Sequence, residues 1–529
     1  MDCVQLRGGK MSRQSDPGIK RCWVGVTSWS RVAWWLVIAS LILGHSPAIC
    51  LADEGMWLPQ ALPDSLISYM QSMSSNLDQE RIFNSDGTGI ANAVVSVGAT
   101  GAFVSPRGLI LTNHHVAFGA VQRISTPEHN YIEDGFLARS EAEEVQAPGY
   151  VAYMLQSTED VTDRVLAEVS ADMDPFERHE TIERAIKEIV AEAEAGRNVY
   201  CEVNAFYGGA RYLLDTYLKI PDVRVVYVPS RSIGEYGGDI DNWMWPRHTG
   251  DFSFLRAYVA PDGSPAEYSP ENVPYQPRSY LRIDPDGLSE GDFAIIIGFP
   301  GRTNRYLTSY GLAYYSEFLY PERIRFFRKA IDILEEISRE DPLARVRVAS
   351  TIKGLNNRLK NNEGMLAGFK RFDLVGAQEQ KEAALARRLS SNGHLRSKLD
   401  RLLGEFRDLY THLRRYGHKD LVLDEMLSRW GLLGQAMLLY KWSIEKQKPD
   451  MERDPQFMDR HIPDLKRYLR VFQMGYHEKA DRALLKMYIT ELLSLPEDQQ
   501  LDFLSRRFGD LRGEALDEAI EAFLDSVYA

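Results

Sequence analysis

A chain of 529 residues can bury a large core and exceeds the usual size of a single domain. Its 44% hydrophobic and 26% charged residues exclude general disorder. A formal net charge of −13, with no clustered Lys/Arg tract, argues against a nucleic-acid partner.

At the N-terminus, Lys20, Arg21 and Arg31 lead into an apolar run from Val32 to Leu43, and Ala52 closes a small-residue exit. This is the layout of a secretory signal, and the run is too short for a stable membrane span. Residues 1–52 are therefore read as a signal peptide, with Met11 as an alternative start. The protein is expected to be exported, periplasmic or at the cell surface, with no membrane span after cleavage. Cys3, Cys22 and Cys50 leave with that segment, so Cys201 remains alone and no internal disulfide is expected.

From residue 53 to about 305 the sequence is rich in short β-type runs punctuated by glycine. "NAVVSVGATGAFVSPRGLILTN" (92–113), "VRVVYVPS" (223–230), "DFSFLRAYV" (251–259) and "DFAIIIGFPG" (292–301) are made of strand-length pieces. Pro106-Arg107-Gly108 reads as a hairpin turn. One helix interrupts the strands at 174–196, ended by Gly196. The texture then changes, and residues 306–529 carry helical periodicity. Ile324, Phe327, Ile331 and Leu334 share a face of a helix opened by Pro321. Asn392-Gly393 marks a turn between helices. Ser494 and Glu497 have capping-box spacing ahead of Leu501, Leu504 and Phe508. Leu516, Ile520, Phe523 and Val527 keep the period almost to the last residue. The expected class is β + α multidomain: a β-rich part over 53–305 and a helical part over 306–529.

Two stretches could carry chemistry. In "LILTNHHVAFGA" (109–120), an apolar strand runs into two histidines, which is how trypsin-type barrels deliver a general base to a cleft. Adjacent residues leaving a strand point opposite ways, so at most one of the pair acts; His115 is the candidate. The bland alternative is a polar strand end. In "GEYGGDIDNWMWPRHTGDFSFLRAYV" (234–259), Asp251 could orient the imidazole through Nδ1, with Asp239 and Asp241 as competitors and loop capping as the plain alternative. Trp243 and Trp245 would ordinarily be core, yet an Asn-Trp pair beside an acid could line a site for a substrate terminus. "HETIE" (179–183) and "HEKAD" (477–481) lack the second histidine of a zinc helix. No CxxC or phosphate-binding glycine loop is found, so no metal or cofactor is expected.

"DEGMWLPQ", "LILTNHHVAFGAVQ", "NYIEDGFLA", "GGDIDNWMWPRHTGDFSF" and "GFPGRTNRY" together resemble the bacterial dipeptidyl-peptidase 7 and 11 family, over roughly residues 53–529. The resemblance implies an exported serine peptidase with a chymotrypsin-like double β-barrel and an α-helical cap domain. It would release dipeptides from the free N-terminus of oligopeptides, without a cofactor, as a homodimer. On that pattern 53–305 is the N-terminal part of the β-barrel peptidase domain and 306–529 the cap. His115 looks like the base, Asp251 like its orienting acid, and Asn242 and Trp243 like the holders of the peptide's α-amino end. Val116 stands where the family usually has cysteine, a change in packing. A larger departure is the nucleophile: no Gly-Asn-Ser-Gly-Ser type turn is present, and Ser309, Ser390 and Ser391 lie in other contexts. The expectation is a triad two-thirds present, an incomplete second barrel and no turnover by these 529 residues. The alternatives are a pseudoenzyme that binds peptide N-termini and, more distantly, a trypsin-barrel endopeptidase.

Overall fold

The computed structural model describes residues 55–528, apart from Ser74, Pro127, Ala171, Arg302, Thr303, Arg305, Arg429, Trp430 and the side chain of Asp239. The signal segment read at 1–52 lies outside the described residues. The chain divides into two compact units, 1–57 and 58–529; everything below concerns the second.

Strands β1 (Val94–Ser96), β2 (Thr100–Phe103) and β3 (Leu109–Thr112) form an antiparallel meander. The turn between β2 and β3 is the one expected at Pro106–Gly108. Gly108 has φ +65°, and a Cβ there would lie 2.7 Å from the Tyr275 carbonyl oxygen, so a side chain is excluded twice over. Two short pairings follow, β4 (Phe136–Leu137) and β5 (Val145–Gln146), then the long β6 (Ala152–Asp160). β7 (Tyr200–Phe206) and β8 (Arg211–Ile220) make a hairpin. Only Pro221 separates β8 from β9 (Asp222–Val228). β10 (Ser253–Val259) and the short β11 (Val273–Pro274) complete one antiparallel sheet of 11 strands.

The pairings run in a circuit. β1 joins β2, β2 joins β3, β3 joins β10 and β10 joins β9; β8 joins β6, and β6 returns to β1. The chain itself closes the circuit, because only Pro221 lies between β8 and β9 and the pairing partner changes there. Proline has no N–H to give to either ladder, so it suits that change. Inside lie Val95, Phe103, Ile110, Val223, Val225, Leu255 and Ala257, all fully buried. Burying a large side chain of this kind contributes about 1.5–3 kcal/mol. Helix α1 (His114–Ile124) closes one end with Ala117, Ala120 and Val121 against the same core. Helix α2 (Pro175–Glu194), capped by the Asp174 carboxylate and followed by Gly196 at φ +69°, packs Ile189 and Val190 onto Cys201, Tyr212 and Leu214 of the hairpin.

From Ser309 to Val527 the described residues hold helices and no strand. α3 (Tyr320–Glu340) opens with Pro321 as expected and buries Phe326, Phe327, Ile331 and Leu334. These meet Leu355 of α4 (Ala349–Phe372), Leu421 and Val422 of α5 (Gly393–Met426), and Leu485 and Leu492 of α6 (Glu478–Leu493). α7 (Asp502–Phe508) and α8 (Gly513–Val527) add Leu504, Phe508, Ile520 and Leu524.

Two sequence expectations fail here. "DFAIIIGFPG" forms no strand. Ile296 is 99% exposed, and Phe299 is tied to the sheet only through Thr100, its N–H donating to Oγ1 at 2.8 Å and its carbonyl accepting from the same hydroxyl at 3.5 Å. β propensity makes a strand only where a ladder partner exists, and none of the described strands pairs with this segment. All described strands belong to one sheet. Ser494 and Glu497 do not cap a common helix either. Ser494 ends α6, its hydroxyl donating to the Glu491 carbonyl, and Pro496 breaks the chain before α7.

Candidate active site

Asn113 sits at the N-cap of α1, where its side chain would ordinarily accept a hydrogen bond from the first turn. It does not. Its amide donates instead to the Asp251 backbone carbonyl at 3.1 Å and to Asp251 Oδ2 at 3.3 Å. Asp251 takes over the cap: its Oδ1 accepts the His115 backbone N–H at 3.0 Å, and its Oδ2 lies 2.7 Å from His115 Nδ1. β3 and β10 are paired neighbours, with Ser253 opposite Thr112, and that register brings residues 113–115 and 251 together.

The electrostatics favour one arrangement of protons. Burial of Asp251 opposes ionisation, but the bonds from the His115 ring and backbone N–H, then the charges of His115 and Arg247, outweigh it and hold the carboxyl at about 2. A carboxylate at a helix N-terminus is favoured as well. With Nδ1–H donating to an ionised Asp251, Nε2 is left as the acceptor. The His115 side chain is 55% exposed, whereas Asp251 is 16% exposed. An accessible basic nitrogen is thus backed by a sheltered anion.

His114 differs in every respect. Its ring is 1% exposed and lies edge-on to Phe118 with centroids 6.1 Å apart. Gly234 packs so closely that a Cβ there would sit 2.4 Å from His114 Cδ2. Burial, and then the positive charge of Lys353, push its pKa down to about 4, so it is neutral near pH 7. The two histidines diverge because they open a helix, about 100° apart around its axis, and not because they leave a strand on opposite faces.

Asn242 and Trp243 stand on the loop before β10. Asn242 Nδ2 donates to Asn357 Oδ1 at 3.1 Å, and Trp243 Nε1 donates to the same oxygen at 3.0 Å. Asn357 lies on α4, more than a hundred residues away in sequence. Trp243 has φ +57°, an unusual backbone for a bulky residue, and its ring is 58% exposed. Trp245 is 90% exposed, so neither tryptophan is core. Arg247 holds the loop's return, donating to Asn242 Oδ1 at 3.4 Å and to Thr249 Oγ1 at 3.0 Å. Asp241 has its backbone carbonyl on the Met244 N–H and makes no bond with His115. The Asp239 side chain lies outside the described residues.

Asn113 and Asn357 were missed from the sequence. Asn113 was in plain view beside the histidines, but its exchange of roles with Asp251 depends on a strand pairing. Asn357 carries no signal at all in a helix with many polar positions. Of the serines considered, Ser309 is buried with its hydroxyl on Glu382 at 2.7 Å, and Ser390 and Ser391 lie in an exposed turn of 3₁₀ helix. No described serine hydroxyl is hydrogen-bonded to His115. Among the described residues there is no cluster of potential metal ligands, and no helix is long and apolar enough to cross a membrane.

A family model described as Peptidase S46 matches residues 52–529. The chain belongs to the peptidase S46 family. This S46 chain is 35% identical over 500 residues to an Asp/Glu-specific dipeptidyl-peptidase of Shewanella putrefaciens, covering 93% of the chain and 66% of that protein. It is 39% identical over 360 residues to dipeptidyl-peptidase 7 of Porphyromonas gingivalis, covering 68% and 50% respectively. The crystal structure of Porphyromonas endodontalis DPP11 in complex with the dipeptide Arg-Glu matches it with a TM-score of 0.70 at 29% identity, over 90% of this chain and 68% of that one. The S46 chain thus spans about two thirds or less of the length of these curated relatives.

Proposed function

We propose that this chain works on the free amino end of oligopeptides, as part of a serine dipeptidyl-peptidase of the S46 type. His115 is the general base, Asp251 fixes its tautomer and balances the imidazolium that forms, and Asn242, Trp243 and Asn357 hold the peptide's α-ammonium group. The observation that carries the reading is the His115 Nδ1–Asp251 Oδ2 contact of 2.7 Å, with the ring's other nitrogen on an exposed side chain. A base so prepared takes a proton from a hydroxyl nucleophile and returns it to the leaving amine. In this reading the ring of strands is the first of two chymotrypsin-like barrels, and the setting is the periplasm or cell surface. Among the described residues, Ser309 and the turn that holds Ser390 and Ser391 are engaged elsewhere, and neither is assigned as the nucleophile.

A cradle of amide oxygens suits an ammonium group, which is costly to desolvate without fixed acceptors. Acetylation removes that charge. The test is to incubate the protein with a free hexapeptide and its N-acetylated form, following binding by calorimetry and products by mass spectrometry. Release of dipeptides from the free form alone supports the full reading. Binding of the free form without release supports an N-terminus binder that does not cut. Equal treatment of both peptides would refute the proposal.

A further inference from the structure

α4 carries Lys353 and Asn357 four residues apart, on one face and about 6 Å apart along the helix axis. Asn357 meets the Asn242–Trp243 loop. Lys353 forms an ion pair with Glu235 and places its ammonium 4.0 Å over the ring centroid of Phe118, which lies one turn along α1 from His114 and His115. Glu235 begins the loop that carries Asn242 seven residues later. It is held from its other side by Arg231 at 2.9 Å, which in turn bonds Glu133 at 2.9 Å. One lysine of the helical part therefore touches both the helix of the imidazole and the root of the recognition loop.

An exposed ion pair would carry little weight. This one is sheltered: the Lys353 and Glu235 side chains are 29% and 16% exposed. Burial works against the Glu235 charge, but Lys353 and then Arg231 hold its carboxyl below the usual range. The neighbouring His114, kept neutral, adds no competing positive charge. Asn357 by contrast has no ionic tie of its own, and its partners sit on an exposed loop with a strained tryptophan backbone.

We propose that Lys353, paired with Glu235, is a positioning residue that sets where Asn357 meets Asn242 and Trp243, measured from the helix that carries His115. This rests on the reading of those three residues as the holders of a peptide's amino end. Lys353 acts on that end only through Asn357.

The test uses the full chain and one probe pair, the dipeptide Ala-Ala and its N-acetyl form, with affinities from calorimetry and folding from thermal unfolding. The expected result is a wild-type preference for the free amine of tenfold or more. Lys353→Met should reduce it to within about twofold, and Lys353→Arg should restore it. Glu235→Gln, which keeps the side-chain shape, should behave like Lys353→Met and serves if the latter does not fold. A wild-type preference kept in Lys353→Met or Glu235→Gln overturns the proposal, even if the melting temperature falls, since that is the signature of a merely structural pair. A wild type that does not discriminate the two probes refutes the recognition reading itself, and so the two failures are distinct.

Discussion

The two ends of the site are built in opposite ways. At the imidazole end, Asn113, His115 and Asp251 are positioned by neighbouring strands of one ladder, and the acid is sheltered. At the end proposed for recognition, Asn242 and Trp243 lie on an exposed loop and find their partner on a helix whose sequence texture is entirely different. The first end inherits its precision from the sheet. The second depends on how two distant parts of the chain meet, and so it is the end that substitutions remote from the site can disturb.

That contrast can be broken by measurement. In whatever form of the protein releases dipeptides, Asp251→Asn should lower kcat about ten-thousand-fold by stabilising the wrong tautomer, leaving KM near its starting value. A loss seen mainly in KM would mean that the imidazole end also serves recognition. Next in size is the response of the buried neighbour to acid. His114 has a folded pKa of about 4 against 6.5 when free, so the folded state binds fewer protons than the unfolded state between those values. Stability is therefore full above pH 6.5, falls as pH drops towards 4, and is lower there by about 3 kcal/mol. His114→Gln should flatten that part of a denaturation-versus-pH curve; an unchanged slope would show that the ring is not buried neutral.

Asn357→Ala should weaken binding of a free-amine peptide about 10- to 150-fold, the worth of a hydrogen bond to a charged group at about 1.5–3 kcal/mol. Its melting temperature should barely move. If turnover falls while affinity holds, Asn357 belongs to the other end. The smallest effect is expected from Val116→Cys. Val116 is only partly buried against the core of the sheet, so a swap of similar size should cost less than about 1.5 kcal/mol and leave peptide binding alone.

Much of the imidazole end was legible because it is local. The glycine-punctuated strands, the Pro106–Gly108 turn and the two histidines all lie within 92–115. Asp251 could be named because it stands just before an alternating strand, although only the pairing of β3 with β10 tells it from Asp241. The helical part was legible from periodicity, as Phe327, Ile331 and Leu334 show. What failed had a common cause. Residues 292–298 are as rich in β-type residues as β10, yet one segment is a buried strand and the other exposes Ile296 to solvent, because a strand is completed by its neighbour and not by its own residues. Asn357 and Lys353 were invisible for the same reason: their meaning comes from partners more than a hundred residues away.

Asp251 closes the first turn of α1 and steadies the His115 ring with the same carboxylate. The peptide N–H of His115 is therefore a built-in gauge. Its exchange with deuterated solvent should be slow while the acid is in place and ionised, and quicken when the acid is neutralised or drawn away. The readiness of the imidazole could then be followed on the main chain, with no substrate added and no bond broken.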